Sequence, residues 1–193
     1  MKFTPRLIVV VGTPGSGKDL LIRAVNDLAI QHAEAIPKHT TRSHREDDGK
    51  EIICPGDKKY NINACDIRYV NYGKEYGIET GKIWEGLKRG MFQVVIISNA
   101  DAINQLKEIF GPLLVLVYVH SEETPESYEA KEIGLGNDDG YVLKRKKDFR
   151  KAFEIYLENF HLFDHVLIYS GIAEDLYDQI FRLFQHYETV NPR

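Results

Sequence analysis

The residues with the clearest chemistry stand at positions 12–18, Gly-Thr-Pro-Gly-Ser-Gly-Lys. Three glycines let backbone N–H groups turn inward around an anion, and the lysine adds a point charge. An apolar run precedes this segment and helix-spaced residues follow it, which is the setting a phosphate-binding loop requires. Gly12, Pro14, Gly15, Ser16 and Gly17 are expected to form the cradle, with Lys18, Asp19 and Leu20 opening the helix behind it. An ordinary glycine-rich turn between strand and helix requires neither the lysine nor all three glycines. The expected ligand is a nucleoside triphosphate, with ATP and Mg²⁺ as cofactors.

Asp19 departs from the usual pattern, in which Ser or Thr follows the lysine and ligates Mg²⁺. A carboxylate about 4 Å from a phosphate charge costs on the order of 4 kcal/mol at an effective dielectric of 20. A Mg²⁺ ion between them reverses that sign, because hard cations favour carboxylate ligands. Two roles are open to Asp19: metal ligand, directly or through water, or a cap that faces away.

A second basic cluster runs Lys38-His-Thr-Thr-Arg42-Ser-His-Arg45 and leads into Asp47-Asp48-Gly49. Arginines three residues apart can fork around one phosphate. By themselves they equally describe a solvated basic loop. Farther on, Lys144-Arg145-Lys-Lys147 and Arg150 lie on helix-spaced sequence, and the run is read mostly as a solvated face.

The elements that must position these groups show as an alternation. Apolar runs at 7–11, 94–97, 113–119 and 166–169 are rich in Val, Ile and Leu, as strands buried on both faces are. Between them lie helical stripes: Leu20, Ala24 and Leu28; Leu106 and Ile109; Phe149, Phe153, Tyr156, Leu157 and Phe160; Leu176, Ile180, Leu183 and Phe184. This rhythm predicts an α/β fold, a doubly wound parallel sheet with ligands at the C-terminal ends of its strands. Two stretches break it: 42–80, polar and rich in turns, and 121–140, acidic with Lys131 its one basic residue. Long irregular segments in a compact domain are usually lids or binding loops.

The segment Thr40-Thr41-Arg42-x-x-Arg45 with its following Asp-Gly resembles the substrate-phosphate segment of guanylate kinases, and Tyr72-Gly-Lys-Glu-Tyr76-Gly77 resembles their Tyr-Gly motif. The stretch from Gly90, the helix-spaced residues 102–107 and Phe163-Asp164-His-Val-Leu-Ile follow in the same order, so the resemblance spans nearly the whole chain. It implies a P-loop kinase fold with a core of 1–41 and 81–193, a substrate-binding insertion at about 42–80 and a lid at about 121–140. It further implies that Arg42, Arg45 and Tyr76 clasp the acceptor phosphate. Lys18 would neutralise charge on the transferring group, and Arg145 or Arg150, on a helix from 141 to 160, would assist. Lys38 stands where the family has a serine before Thr-Thr-Arg, and Ile96 and Ser98 stand where it has an Asp-x-Asp. Lys38 and Ser98 are therefore acceptor-site candidates.

Three readings follow. The first is transfer of the γ-phosphoryl group of Mg-ATP to a nucleoside monophosphate, with GMP the best single guess. The second is transfer to a phosphorylated sugar, because Gly17-Lys18-Asp19 is similar to the loop of ribose 1,5-bisphosphate phosphokinases. The third is a guanylate-kinase-like binding domain without catalysis; such domains tend to lose the phosphate loop that this chain keeps.

Bulk properties bound these readings. The chain has 193 residues, a net charge of −4 and 28% charged residues, as an ordinary single globular domain does. The acidic balance argues against a nucleic-acid partner. No apolar run approaches a membrane span, and the run at 7–11 is too short for a signal-peptide core. Cys54 and Cys65 carry no paired spacing, so neither a disulfide nor a metal motif is expected and a cytoplasmic location is the default. The oligomeric state stays open.

Overall fold

The computed structural model describes residues 3–26, 30, 32–46, 48–71, 73–122, 124–134, 136 and 138–189. Leu28, Asp47 and Tyr72 lie outside the described residues, and the side chain of Arg145 does as well, although its backbone is described.

The predicted runs become β1 (Leu7–Gly12), β7 (Phe92–Ile96), β8 (Leu114–Ser121) and β9 (His165–Tyr169). With β2 (Ala33–Ala35) they form a parallel sheet in the order β2-β7-β1-β8-β9. Side chains alternate across a strand, and in β1 this divides the core. Ile8 and Val10 face α1 (Lys18–Asn26) and α6 (Ala173–Thr189), burying Leu21, Ala24, Val25, Leu176, Ile180, Leu183 and Phe184. Leu7 and Val9 face the other way, toward α2 (Thr80–Lys88) and α3 (Ala100–Phe110), burying Ile83, Leu87, Ala102, Leu106 and Phe110. Helices on both faces explain why β1 and β8 are apolar throughout; this is the doubly wound fold the alternation predicts.

Several stripes differ from expectation. In α1, Leu21 and Val25 are buried with Ala24, while Leu20 is half-buried at the margin of the same cluster. Ile109 is exposed, because the inward face of α3 runs Ala102, Leu106, Phe110. Leu157 and Phe160 are also exposed: α5 (Asp139–Asn159) gives way to a short 3₁₀ turn at Phe160–Leu162, which leads into edge strand β9.

The polar stretch is not irregular. It carries a second sheet of β3 (Lys38–Thr40), β4 (Ile52–Ile53), β5 (Ile67–Asn71) and β6 (Lys74–Ile78) in the order β4-β3-β6-β5. This sheet begins at Lys38, ahead of the expected start of the insertion. The acidic stretch also folds, as α4 (Pro125–Gly134) packed on α5. Tyr128 is buried against Phe149, with ring centroids 5.5 Å apart. Glu129 pairs with Lys146, and Glu126 lies 3.3 Å from Arg150. The acids and the basic run are two facing sides of one helix pair, which makes helix possible where like charges alone would repel. Among the described residues, no helix is long and apolar enough to cross a membrane.

Candidate active site

The loop between β1 and α1 is shaped by two glycines. A Cβ on Gly12 would stand 2.5 Å from Ser16 Oγ and 2.6 Å from the Val119 carbonyl, so only glycine lets the loop fold back on β8. Gly17 has φ +81°, and a Cβ there would stand 3.1 Å from the Tyr169 ring. Ser16 N donates to Thr13 O at 3.2 Å. Lys18 Nζ donates to the same carbonyl at 2.5 Å and to Ser16 Oγ at 3.4 Å, so the lysine arches back over its own loop. Ser16 and Thr13 are buried, and Thr13 Oγ1 has no hydrogen-bond partner among the described residues. Pro14 and Gly15 form the rim. The first N–H groups of α1 have no intrahelical acceptor, and they add the helix's positive end.

A cleft of about 730 Å³ opens beside this loop, between the two sheets. Asp19, Ile22 and Arg23 of α1 line one wall; Lys38, Arg42, Arg45 and Tyr76 line the other. Asp19 is exposed in the first turn of α1 and faces this space rather than turning away from it.

Lys38 ties the small sheet to the large one, its Nζ donating to the Ile96 carbonyl at 2.8 Å. Burial pulls its pKa down to about 8, with Asp19 and Glu51 partly opposing. Arg42 Nη1 donates to Asp48 Oδ2 at 2.6 Å, and Nη2 makes a second, parallel bond to Oδ1. This pairing raises the guanidinium and holds the Asp48 carboxyl below the usual carboxylate range. The Arg45 N–H donates to Asp48 Oδ2 at 2.8 Å, so one carboxylate organises both arginines. Tyr76 pairs with Thr40 on one side and Tyr69 on the other, stacking on the Tyr69 ring at 5.5 Å. That cross-strand pair places Tyr76 beside Arg42 in the lining of the cleft.

Two candidates lie elsewhere. Ser98 is exposed beyond the end of β7 and does not line the cleft. Arg150 is exposed on α5 and engaged by Glu126. Arg145 lies on the same helix, with its side chain outside the described residues.

Sequence reasoning missed two groups. Asp48 read only as part of a turn, yet it is the anchor of the arginine loop. Glu51 lines the cleft with Oε2 buried and unpartnered among the described residues. An acid near Asp47 and Asp48 gives no signal in sequence; in the fold its carboxyl lies against Gly49, where a Cβ would stand 2.3 Å from Oε2.

The cradle, Lys18, the orphaned Thr13 hydroxyl and the hard oxygens of Asp19 suit a polyphosphate with a hard cation. No family model matches the sequence. Among solved structures the chain is similar to the guanylate kinase from Anaplasma phagocytophilum, with a TM-score of 0.66 at 12% identity, covering 98% of this chain and 90% of that one. A likeness at that identity shows the fold: this is a P-loop kinase fold with a parallel five-stranded core.

Proposed function

We propose that the chain is an ATP-dependent phosphotransferase acting on the phosphate of a nucleoside monophosphate, GMP being the leading candidate. The observation that supports this is the cleft beside the phosphate loop, where Asp19, the residue after Lys18, lines one wall and Lys38, Arg42, Arg45 and Tyr76 line the other. Lys18 and the loop N–H groups hold the β- and γ-phosphates of ATP. Arg42, Arg45, Tyr76 and Lys38 hold the acceptor phosphate in line with them. An oxygen of that phosphate bonds to the γ-phosphorus as the bond to the β–γ bridging oxygen breaks, and ADP leaves with the electron pair. Such a transfer asks for positioning and charge stabilisation rather than covalent chemistry.

Asp19 would hold Mg²⁺, which when bound would supply screening of the phosphate charge and polarisation of the transferring group. Arg150, which Glu126 of α4 engages, or Arg145 on the same helix supplies the remaining positive charge.

The cleft favours a nucleoside over a bare sugar phosphate. Ile22, Ile36, Val95 and Ile96 give it an apolar wall suited to a planar ring. Glu51 stands in the cleft lining, and a carboxylate accepting from ring N–H groups discriminates strongly between bases that do and do not donate to it. Titration with ATP by calorimetry, with and without Mg²⁺, tests the triphosphate half of the reading. One equivalent bound, and lost in Lys18→Ala, is expected; no binding with Mg²⁺ present refutes it.

A further inference from the structure

Behind the arginine loop, away from the main cleft, three different metal-ligating side chains converge. His44 Nε2, Cys54 Sγ and a carboxylate oxygen of Asp57 all lie within 4.8 Å of one another. From these we infer a transition-metal site, best suited to Zn²⁺, in the loops beside the small sheet. It stands independently of the kinase reading.

Local structure brings the three together. The Pro55-Gly56 turn folds Asp57 back on Cys54: Asp57 N donates to Cys54 O at 3.1 Å, and Cys54 N donates to Asp57 Oδ2 at 2.6 Å. His44 then reaches across from the arginine loop, with Nε2 at 3.2 Å from Asp57 Oδ1 and 3.0 Å from Oδ2. Cys54 Sγ makes no hydrogen bond among the described residues, whereas Cys65 Sγ donates to Asn61 O at 3.9 Å. A tetrahedral ion with zinc's bond lengths sets its ligand atoms about 3.5 Å apart. The half-exposed side chain of His44 can rotate to supply that contraction.

A second observation supports a built site. The other ring nitrogen of His44, Nδ1, lies 3.5 Å from Asp48 Oδ2. Carboxylate, imidazole and metal in line is how ligating histidines are commonly oriented. Thiolate, imidazole and carboxylate together suit Zn²⁺ and not Mg²⁺, which takes oxygen ligands. The thiolate and carboxylate balance the dication, and a solvent-facing fourth position stays open to water or an anion. Lys58 and Lys59 line the hollow of about 410 Å³ beside it.

The same Asp48 that faces His44 grips Arg42 and the Arg45 N–H. An ion on His44 therefore stiffens the loop that presents both arginines to the cleft, coupling metal occupancy to the acceptor site without touching it.

The test is titration of the chelator-treated full chain with Co²⁺, followed by displacement with Zn²⁺. One equivalent giving a sulfur-to-cobalt charge-transfer band and tetrahedral ligand-field bands is expected. Both should disappear in Cys54→Ser and in His44→Ala, and both should persist in Cys65→Ser. Because His44 is exposed, His44→Ala keeps its far-ultraviolet dichroism while losing more than the ~10–100-fold in Zn²⁺ affinity that an outer-shell loss brings. A cobalt spectrum that never forms, that survives His44→Ala, or that is lost in Cys65→Ser overturns the site.

Discussion

Arg42 and Asp48 form a two-pronged ion pair on the wall of the cleft, with the two side chains only 11% and 6% exposed. Asp48 also accepts from the Arg45 backbone, so the pair sets the conformation of the loop as well as the direction of one guanidinium. Removing either partner leaves the other desolvated.

For Arg42→Ala, the acceptor KM should rise about 10- to 100-fold, the scale of roughly 1.5–3 kcal/mol for hydrogen bonds to a charged group. The KM for ATP should stay within about twofold, since the phosphate loop does not involve Arg42. Initial-rate kinetics over both substrates check this; equal effects on both would mean that Arg42 does not hold the acceptor.

Asp48→Ala should lower stability by up to about 3 kcal/mol in denaturant unfolding. The pH dependence follows from its lowered pKa. A depressed carboxyl contributes stability that is complete above the ordinary carboxylate range and is lost as pH falls through the folded value. The wild type should therefore lose more stability than Asp48→Ala as the pH is taken below about 4.

Lys38 shifts in the same direction, in the alkaline range. Burial brings it down to about 8, below its unfolded value, so the folded chain binds fewer protons between about 8 and 10.4 and gains stability with rising pH there. Loss of its charge should weaken acceptor capture over the same range. The kcat/KM for the acceptor should fall above about pH 8, and Lys38→Met should remove that alkaline limb.

Asp19→Asn should shift the Mg²⁺ concentration needed for half-maximal rate upward, about tenfold, leaving the KM for the acceptor unchanged. An unaltered metal profile returns Asp19 to a helix-terminal role.

Arg150→Ala should lower kcat about tenfold or more with little change in either KM, as a group acting on the transition state does. Glu126→Ala should stay within about twofold, because that pair is 56% and 67% exposed and such pairs contribute little.

The two halves of this molecule were unequally legible in the sequence. The phosphate loop shows a local signature: Gly17 has φ +81° and a Cβ on Gly12 would meet Ser16 four residues on, although both glycines also pack against distant residues. Strands β1 and β8 are buried on both faces and so read as unbroken apolar runs. The small sheet has no such signature. Lys38, His39 and Thr40 are buried yet polar, and they are tolerated because distant partners satisfy them: Lys38 through the Ile96 carbonyl, His39 through Glu79 at 3.0 Å. Helix α4 was hidden by its acids, whose cationic partners come from α5. His44, Cys54 and Asp57 share no familiar spacing; the Pro55-Gly56 turn and the packing of the arginine loop bring them together.

The most direct test of the central claim is ADP release from Mg-ATP against a panel of GMP, dGMP, AMP, CMP, UMP and ribose 1,5-bisphosphate. The account predicts turnover with a nucleoside monophosphate, GMP foremost, abolished in Lys18→Ala and weakened through KM in Arg42→Ala. Turnover on ribose 1,5-bisphosphate alone would contradict the nucleoside assignment. Silence across the panel while ATP still binds would contradict phosphoryl transfer to these acceptors.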